Sequence, residues 1–183
     1  FGIEDALTPD NAKEIWDKCN EMLADDSFSA KNLIRRSNVE TICTTDDPAD
    51  TLEFHKELKD FETKVLPTFR PDKLVNIEKP EFLPYLEANG IDSFEKACTW
   101  MVERIAFFHE NGCRLSDHAL EYVPFAVGDA KAVFQKKING EELTVEEIDT
   151  FKTAMLAVCA KEYTKLHWAM QLHIGALRNN NTR

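Results

Sequence analysis

Four residues of this 183-residue chain, Arg70, Asp117, His173 and Arg178, combine types and placement that could do chemistry. A planar guanidinium such as that of Arg70 matches a carboxylate through two parallel hydrogen bonds. An aspartate such as Asp117 accepts hydrogen bonds from hydroxyls or exchanges a proton, and a histidine such as His173 polarises a carbonyl or a hydroxyl. Three of the four follow an apolar, β-rich run: TKVLPTF precedes Arg70, GCRLS precedes Asp117-His118, and WAMQL precedes His173. A further run, VETICTT, ends at Asp46-Asp47. In parallel α/β folds, ligands bind at the carboxyl ends of the strands, so a polar group recurring there points to one shared pocket.

Each of these residues also has a plainer reading. Arg70 could form a surface salt bridge with Asp72, and Asp117 could cap the helix after its strand. On spacing alone His173 would more often be a core histidine. Arg178 and Asn179 to Asn181 could line a pocket or form a turn. His118 should point away from Asp117 and be structural. Asp46 and Asp47 are expected to cap the following helix. His55, His109 and His167 are expected on helices as surface or boundary residues. The five cysteines are odd in number, widely spaced and set in apolar runs, so each is expected in the core of a protein kept in a reducing, cytoplasmic setting.

The elements that would position these residues can be read in order. Thr8 should cap a first helix with Pro9 at its first position, and Ile15, Trp16, Cys19, Met22 and Leu23 should form its buried stripe. Ser29 caps a second helix through Arg36. A strand then starts near Asn38, a helix spans about 51–59, and a second strand spans about 63–69. A short helix runs to Asn89-Gly90. Ser93 caps a long helix ending at Gly112, with Phe94, Ala97, Cys98, Met101, Val102, Ile105 and Ala106 on its apolar face. A strand at 113–116 follows, then a helix to Ile138. Thr144 and Glu147 fit a capping box for a helix to His167, buried through Ile148, Phe151, Met155, Val158, Cys159 and Tyr163. The last strand covers 169–174. This β-α-β-α-β-α-β order implies a parallel α/β sheet with four strands over 38–183, preceded by a helical region over 1–37. No glycine-rich phosphate loop follows any strand, which disfavours a dinucleotide-binding sheet.

The charge excludes some partners. With 33 acidic and 22 basic residues, the chain carries a net charge of -11, which is unsuited to nucleic acid or an anionic membrane surface. No stretch approaches the roughly 20 apolar residues of a membrane span.

The segments SNVETICTTDDPADTLEFH, KVLPTFRPDK, GCRLSDHAL and LHIGALRNNN, in this order, resemble the uronate isomerases, also called glucuronate isomerases. The resemblance runs from about Thr8 to Arg183. It implies a (β/α)8 TIM-barrel type fold of the amidohydrolase superfamily, with about half of the barrel in this chain. It implies aldose-ketose isomerisation of hexuronic acids, D-glucuronate to D-fructuronate or D-galacturonate to D-tagaturonate, in a complete enzyme that could be a homo-oligomer. Asp117 and His173 would be catalytic, and Arg70 and Arg178 would bind substrate. Zinc would be held by the family's HxH pair and a later Asp, none of which lies in this chain, so residues 1–183 alone should be inactive. A metal-dependent hydrolase of the same superfamily and a non-catalytic acid-sugar binding module are the alternatives.

Overall fold

In the computed structural model, residues 1–175 are described. They fall into two compact units, one of residues 1–42 with 60–64 and one of residues 43–59 with those from 65 onward.

The first unit holds α1 (Ala12–Leu23), a 3-10 turn (Asp26–Phe28) and α2 (Ala30–Arg36). Helix α1 starts three residues later than expected. Thr8 and Asn11 exchange side-chain and backbone hydrogen bonds, Thr8 N–H to Asn11 Oδ1 and Asn11 N–H to Thr8 Oγ1, which close a turn ahead of the helix. Ser29 caps α2 as expected, accepting from the Asn32 N–H. The apolar stripe of α1 is not buried. Trp16 is 67% exposed, and no residue of α1 is fully covered. Periodicity reports which face of a helix is apolar, but a second layer must exist to cover it. Aromatic and ionic pairs connect parts of this unit. Phe1 stacks on Phe28, and Arg35 lies over Phe61 while bridging Glu62.

Strand β1 (Thr41–Cys43) is followed by α3 (Glu53–Glu57) and by β2 (Lys64–Leu66), which pairs with β1. The chain continues through α4 (Asp72–Val75), α5 (Phe82–Ala88) and α6 (Phe94–Glu110) to β3 (Leu115–Leu120). Then α7 (Ala130–Ile138) and α8 (Val145–Leu166) lead to β4 (Ala169–Ile174). Strands β3 and β4 are parallel, with Ser116 opposite Met170 and Asp117 opposite Gln171. Parallel bridges from Asp46 to Phe69 and from Phe69 to Ser116 carry the row from the β1 end through the β2 end to β3. Four strand segments thus line up in sequence order. Parallel neighbours need long crossovers, which the intervening helices supply.

One face of this row is covered by helices. Phe69 is fully buried, packs edge-on against Phe108 of α6 at 5.0 Å, and lies near Tyr163 and Trp168. Phe82, Phe134 and Phe151 form a second aromatic group within the same core. Ser93 caps α6 and the Thr144–Glu147 capping box starts α8, as the sequence indicates. Helix α6 ends in a Schellman motif. Gly112 N–H donates to His109 O and Cys113 N–H to Phe108 O, with Gly112 at φ +93.

Several expectations are corrected. Strand β3 runs on to Leu120, so Asp117 and His118 lie inside it rather than after it. The strand continues because its ladder with β4 stays in register through Asp117 opposite Gln171 and His118 opposite Leu172. Strand β1 starts at Thr41, not Asn38, and β2 is three residues long. Ala106, placed on the buried stripe of α6, is exposed, while Phe108 is buried. Only Cys113 and Cys159 are core cysteines; Cys43 is exposed. Asp46 and Asp47 do not cap α3, whose N-cap is Leu52 without a side-chain bond.

Candidate functional site

Successive side chains of a strand alternate between its faces. With Phe69, Ser116 and His118 on the helix side, Arg70, Asp117, Gln171 and His173 fall on the other. Arg70 follows the bridged Phe69, and its backbone N–H donates to Asp46 O at 3.0 Å. Its Nε donates to Asp72 Oδ2 at 2.8 Å, and its Nη1 donates to Asp117 Oδ2 at 3.3 Å. Arg70 thus makes the salt bridge to Asp72 that its spacing allows, and it also reaches Asp117 on the neighbouring strand. The two acids, Asp72 first, raise the pKa of the guanidinium above its ordinary value against the opposing effect of burial.

Asp117 is the hub. Its side chain is 8% exposed, and its Oδ1 lies 2.5 Å from His173 Nδ1. That pair misses the alignment of a regular hydrogen bond, leaving Oδ1 without one. At this separation the carboxylate oxygen and the ring nitrogen are in direct contact. The β3–β4 register explains the contact, since Asp117 sits opposite Gln171 and His173 is the next residue on that face. His173 Nε2 lies 3.2 Å from Gln171 Nε2, and the ring is half exposed. Arg70, Asp117 and His173 are thus brought together. Arg178 lies outside the described residues.

His118 takes the opposite face, buried, with Nε2 near Ser116 Oγ (3.1 Å) and Tyr163 OH (3.3 Å) and with Nδ1 unpartnered. Burial lowers its pKa to about 4, so at neutral pH it is uncharged. His109 is a boundary residue that accepts from Trp168 Nε1, and His167 is an exposed helix cap.

Other polar groups near the strand ends were not anticipated as partners. Asp46 accepts from Thr44 Oγ1 and from the Thr68 N–H, and Thr44 Oγ1 is also 2.8 Å from His55 Nε2. Asp47 accepts from Tyr85 OH at 2.7 Å and pairs with Lys73 at 3.1 Å. Burial and this bond raise the Tyr85 pKa well above its ordinary value. Arg104 donates to Pro48 O and Asp50 O, which pins the same loop. The signal for Asp72 was present in the Arg-Pro-Asp spacing. For His55 and Tyr85 there was none, because their partners are distant in sequence. No cluster of three or more His, Cys, Asp or Glu fit to hold a metal occurs among the described residues. Asp117 and His173 alone do not make a zinc site.

The profile of the glucuronate isomerase family matches residues 1–183. The chain belongs to the glucuronate isomerase family. A uronate isomerase of Caldanaerobacter subterraneus subsp. tengcongensis is 49% identical over the whole of this chain and 42% of its own length. One from Lachnospira eligens is 48% identical over 99% of this chain and 41% of its own length. The crystal structure of a uronate isomerase from Thermotoga maritima superposes with a TM-score of 0.89 at 35% identity, covering 97% of this chain and 41% of that one. That of a glucuronate isomerase from Caulobacter crescentus gives 0.88 at 29%, covering 99% and 40%. The chain therefore spans about two fifths of the length of the relatives it matches.

Proposed function

We propose that this chain is a substrate-facing part of a uronate isomerase, and that the complete protein interconverts the aldehyde and ketone forms of a hexuronic acid such as D-glucuronate or D-galacturonate. The observation that carries the reading is the contact chain Arg70–Asp117–His173 on the sheet face opposite the helices, in a member of this family. Residues 38–183 then form about half of a (β/α)8 barrel, and residues 1–37 a helical region that precedes it. The row of parallel strand segments in sequence order and the superposition on uronate isomerases support this.

Isomerisation moves a proton between neighbouring carbons through an enediol. The substrate must be held, its carbonyl polarised and a proton carried. Arg70 holds the substrate carboxylate, assisted by Arg178. Asp117 fixes the His173 ring through Nδ1, which leaves Nε2, now beside the Gln171 amide, to meet a substrate oxygen. His173 then polarises the carbonyl or hydroxyl, and Asp117 takes part in the proton transfer. Zinc belongs to this proposal only as a group held elsewhere in the complete protein. The unpaired cysteines and the acidic surface fit a cytoplasmic enzyme.

The test is to incubate the full-length protein with D-glucuronate and D-galacturonate and follow ketose formation. Enzyme-dependent conversion of either is expected. Conversion of neither would remove the reading.

A further inference from the structure

Asp72 does more than neutralise a neighbour. It is the first residue of α4, directly after Pro71, and its two oxygens serve different elements. Oδ2 accepts from Arg70 Nε at 2.8 Å, and Oδ1 accepts from the backbone N–H of Ala119 at 3.3 Å, two residues beyond Asp117 on β3. Both side chains are only 22% exposed. One carboxylate thus ties the Arg70 guanidinium to the strand that carries Asp117.

A guanidinium has five N–H donors in a fixed fork. In Arg70, Nε is taken by Asp72 and Nη1 reaches Asp117, while Nη2 has no hydrogen-bond partner among the described residues. Nε is therefore closed to a ligand, and the donors left are Nη2 and the second N–H of Nη1, whose first N–H serves Asp117. Resting on the reading of this face as a uronate site, we propose that Asp72 is a positioning residue. It clamps Arg70 by Nε against β3, so that an acid substrate is taken end-on by the two Nη groups.

Charge and geometry make opposite predictions here, which gives the proposal a sign. Asp72 and Asp117 together place two carboxylates on one guanidinium. As a mere counter-ion, Asp72 would oppose a third carboxylate, and removing its charge would tighten substrate binding. As a clamp it aids binding, because the fork must face the substrate before it can grip it. Asp72→Asn keeps the size of the side chain but has one acceptor oxygen, so it cannot hold both Arg70 Nε and the Ala119 N–H.

The test uses the full-length protein, with steady-state kinetics on D-glucuronate for the wild type, Asp72→Asn, Asp72→Glu, Arg70→Lys and the Asp72→Asn/Arg70→Lys double variant. The expected result is a KM raised about tenfold in Asp72→Asn, with kcat within about threefold of wild type, on the scale where tenfold is about 1.4 kcal/mol. Asp72→Glu, which keeps an ionised acceptor for Nε, should recover part of the loss. The double variant should be little worse than Arg70→Lys alone, because lysine has no Nε donor to clamp. A lowered or unchanged KM in Asp72→Asn, losses that add in the double variant, or an effect on kcat alone would each overturn the inference while leaving an active wild type to support the function. A wild-type protein inactive on any uronate would overturn both. An insoluble Asp72→Asn shifts the decision to Asp72→Glu, whose KM must then rise with kcat preserved.

Discussion

At the scale of single residues, one carboxylate organises the candidate site. Asp117 faces a guanidinium with one oxygen and an imidazole with the other, and it is largely shielded from water. Charge-assisted contacts of this kind are geometric as well as energetic, so the type of cation matters. In the full-length protein, Arg70→Lys should lower kcat/KM for a uronate at least about tenfold, because lysine keeps the charge and loses the fork. Steady-state values within about twofold of wild type would instead make Arg70 a structural salt bridge. On the reverse face, His118 is buried and its pKa is lowered to about 4 from 6.5. The folded state therefore favours the neutral ring. The stability tied to it is fully present above pH 6.5 and is lost as the pH falls from 6.5 towards 4, at most about 3 kcal/mol. Urea midpoints of the full-length protein measured across that interval should fall more steeply for wild type than for His118→Gln. Parallel slopes would show that folding does not lower the pKa of His118.

At the scale of elements, helix ends aim the strands. The Schellman turn after α6 reverses the chain into β3, and it needs a residue at φ +93. A Cβ on Gly112 would also meet Leu66 Cδ2 at 3.0 Å, whereas a Cβ on Gly90 at φ +63 would meet nothing within 4 Å. Gly90→Ala should therefore lose only the left-handed backbone preference, about 1 kcal/mol, and Gly112→Ala should lose more. Equal shifts in urea midpoint would show that Leu66 moves aside freely. Thr144→Ala removes the oxygen that accepts from the Glu147 N–H and should destabilise the protein by about 1 kcal/mol. These ends were legible because capping is local. Ser29, Ser93, Thr144 and Gly112 all behave as their types and spacing indicate. Asp46 and Asp47 look equally like caps in sequence, yet they bond to Thr44, Thr68 and Tyr85, and for Thr68 and Tyr85 that choice was made by neighbours remote in the chain.

At the scale of the whole molecule, the chain matches relatives more than twice its length. A pocket at the strand ends of a barrel draws residues from around the whole ring, and positioned groups act only when held together. Purified residues 1–183, incubated with D-glucuronate with and without zinc, should form no ketose. Clear protein-dependent turnover would show that this part, or an oligomer of it, builds a working site.

What the sequence determined by itself was the alternation of strands and helices, the caps at Ser29, Ser93 and Thr144 with the stop at Gly112, the family, and the residues Arg70, Asp117 and His173 that meet on one face. Each of these follows from short-range pattern or from a motif string such as SDHAL. The tertiary structure decided the rest. It showed that β3 continues through Asp117, that Asp72 links Arg70 to β3, and that His55 joins Thr44 and Asp46. It also left the apolar stripe of α1 uncovered. Period and propensity state what a segment prefers. Which preferences are satisfied, and by which distant partner, is set only when the strands line up and their side chains compete for the same space and the same hydrogen bonds.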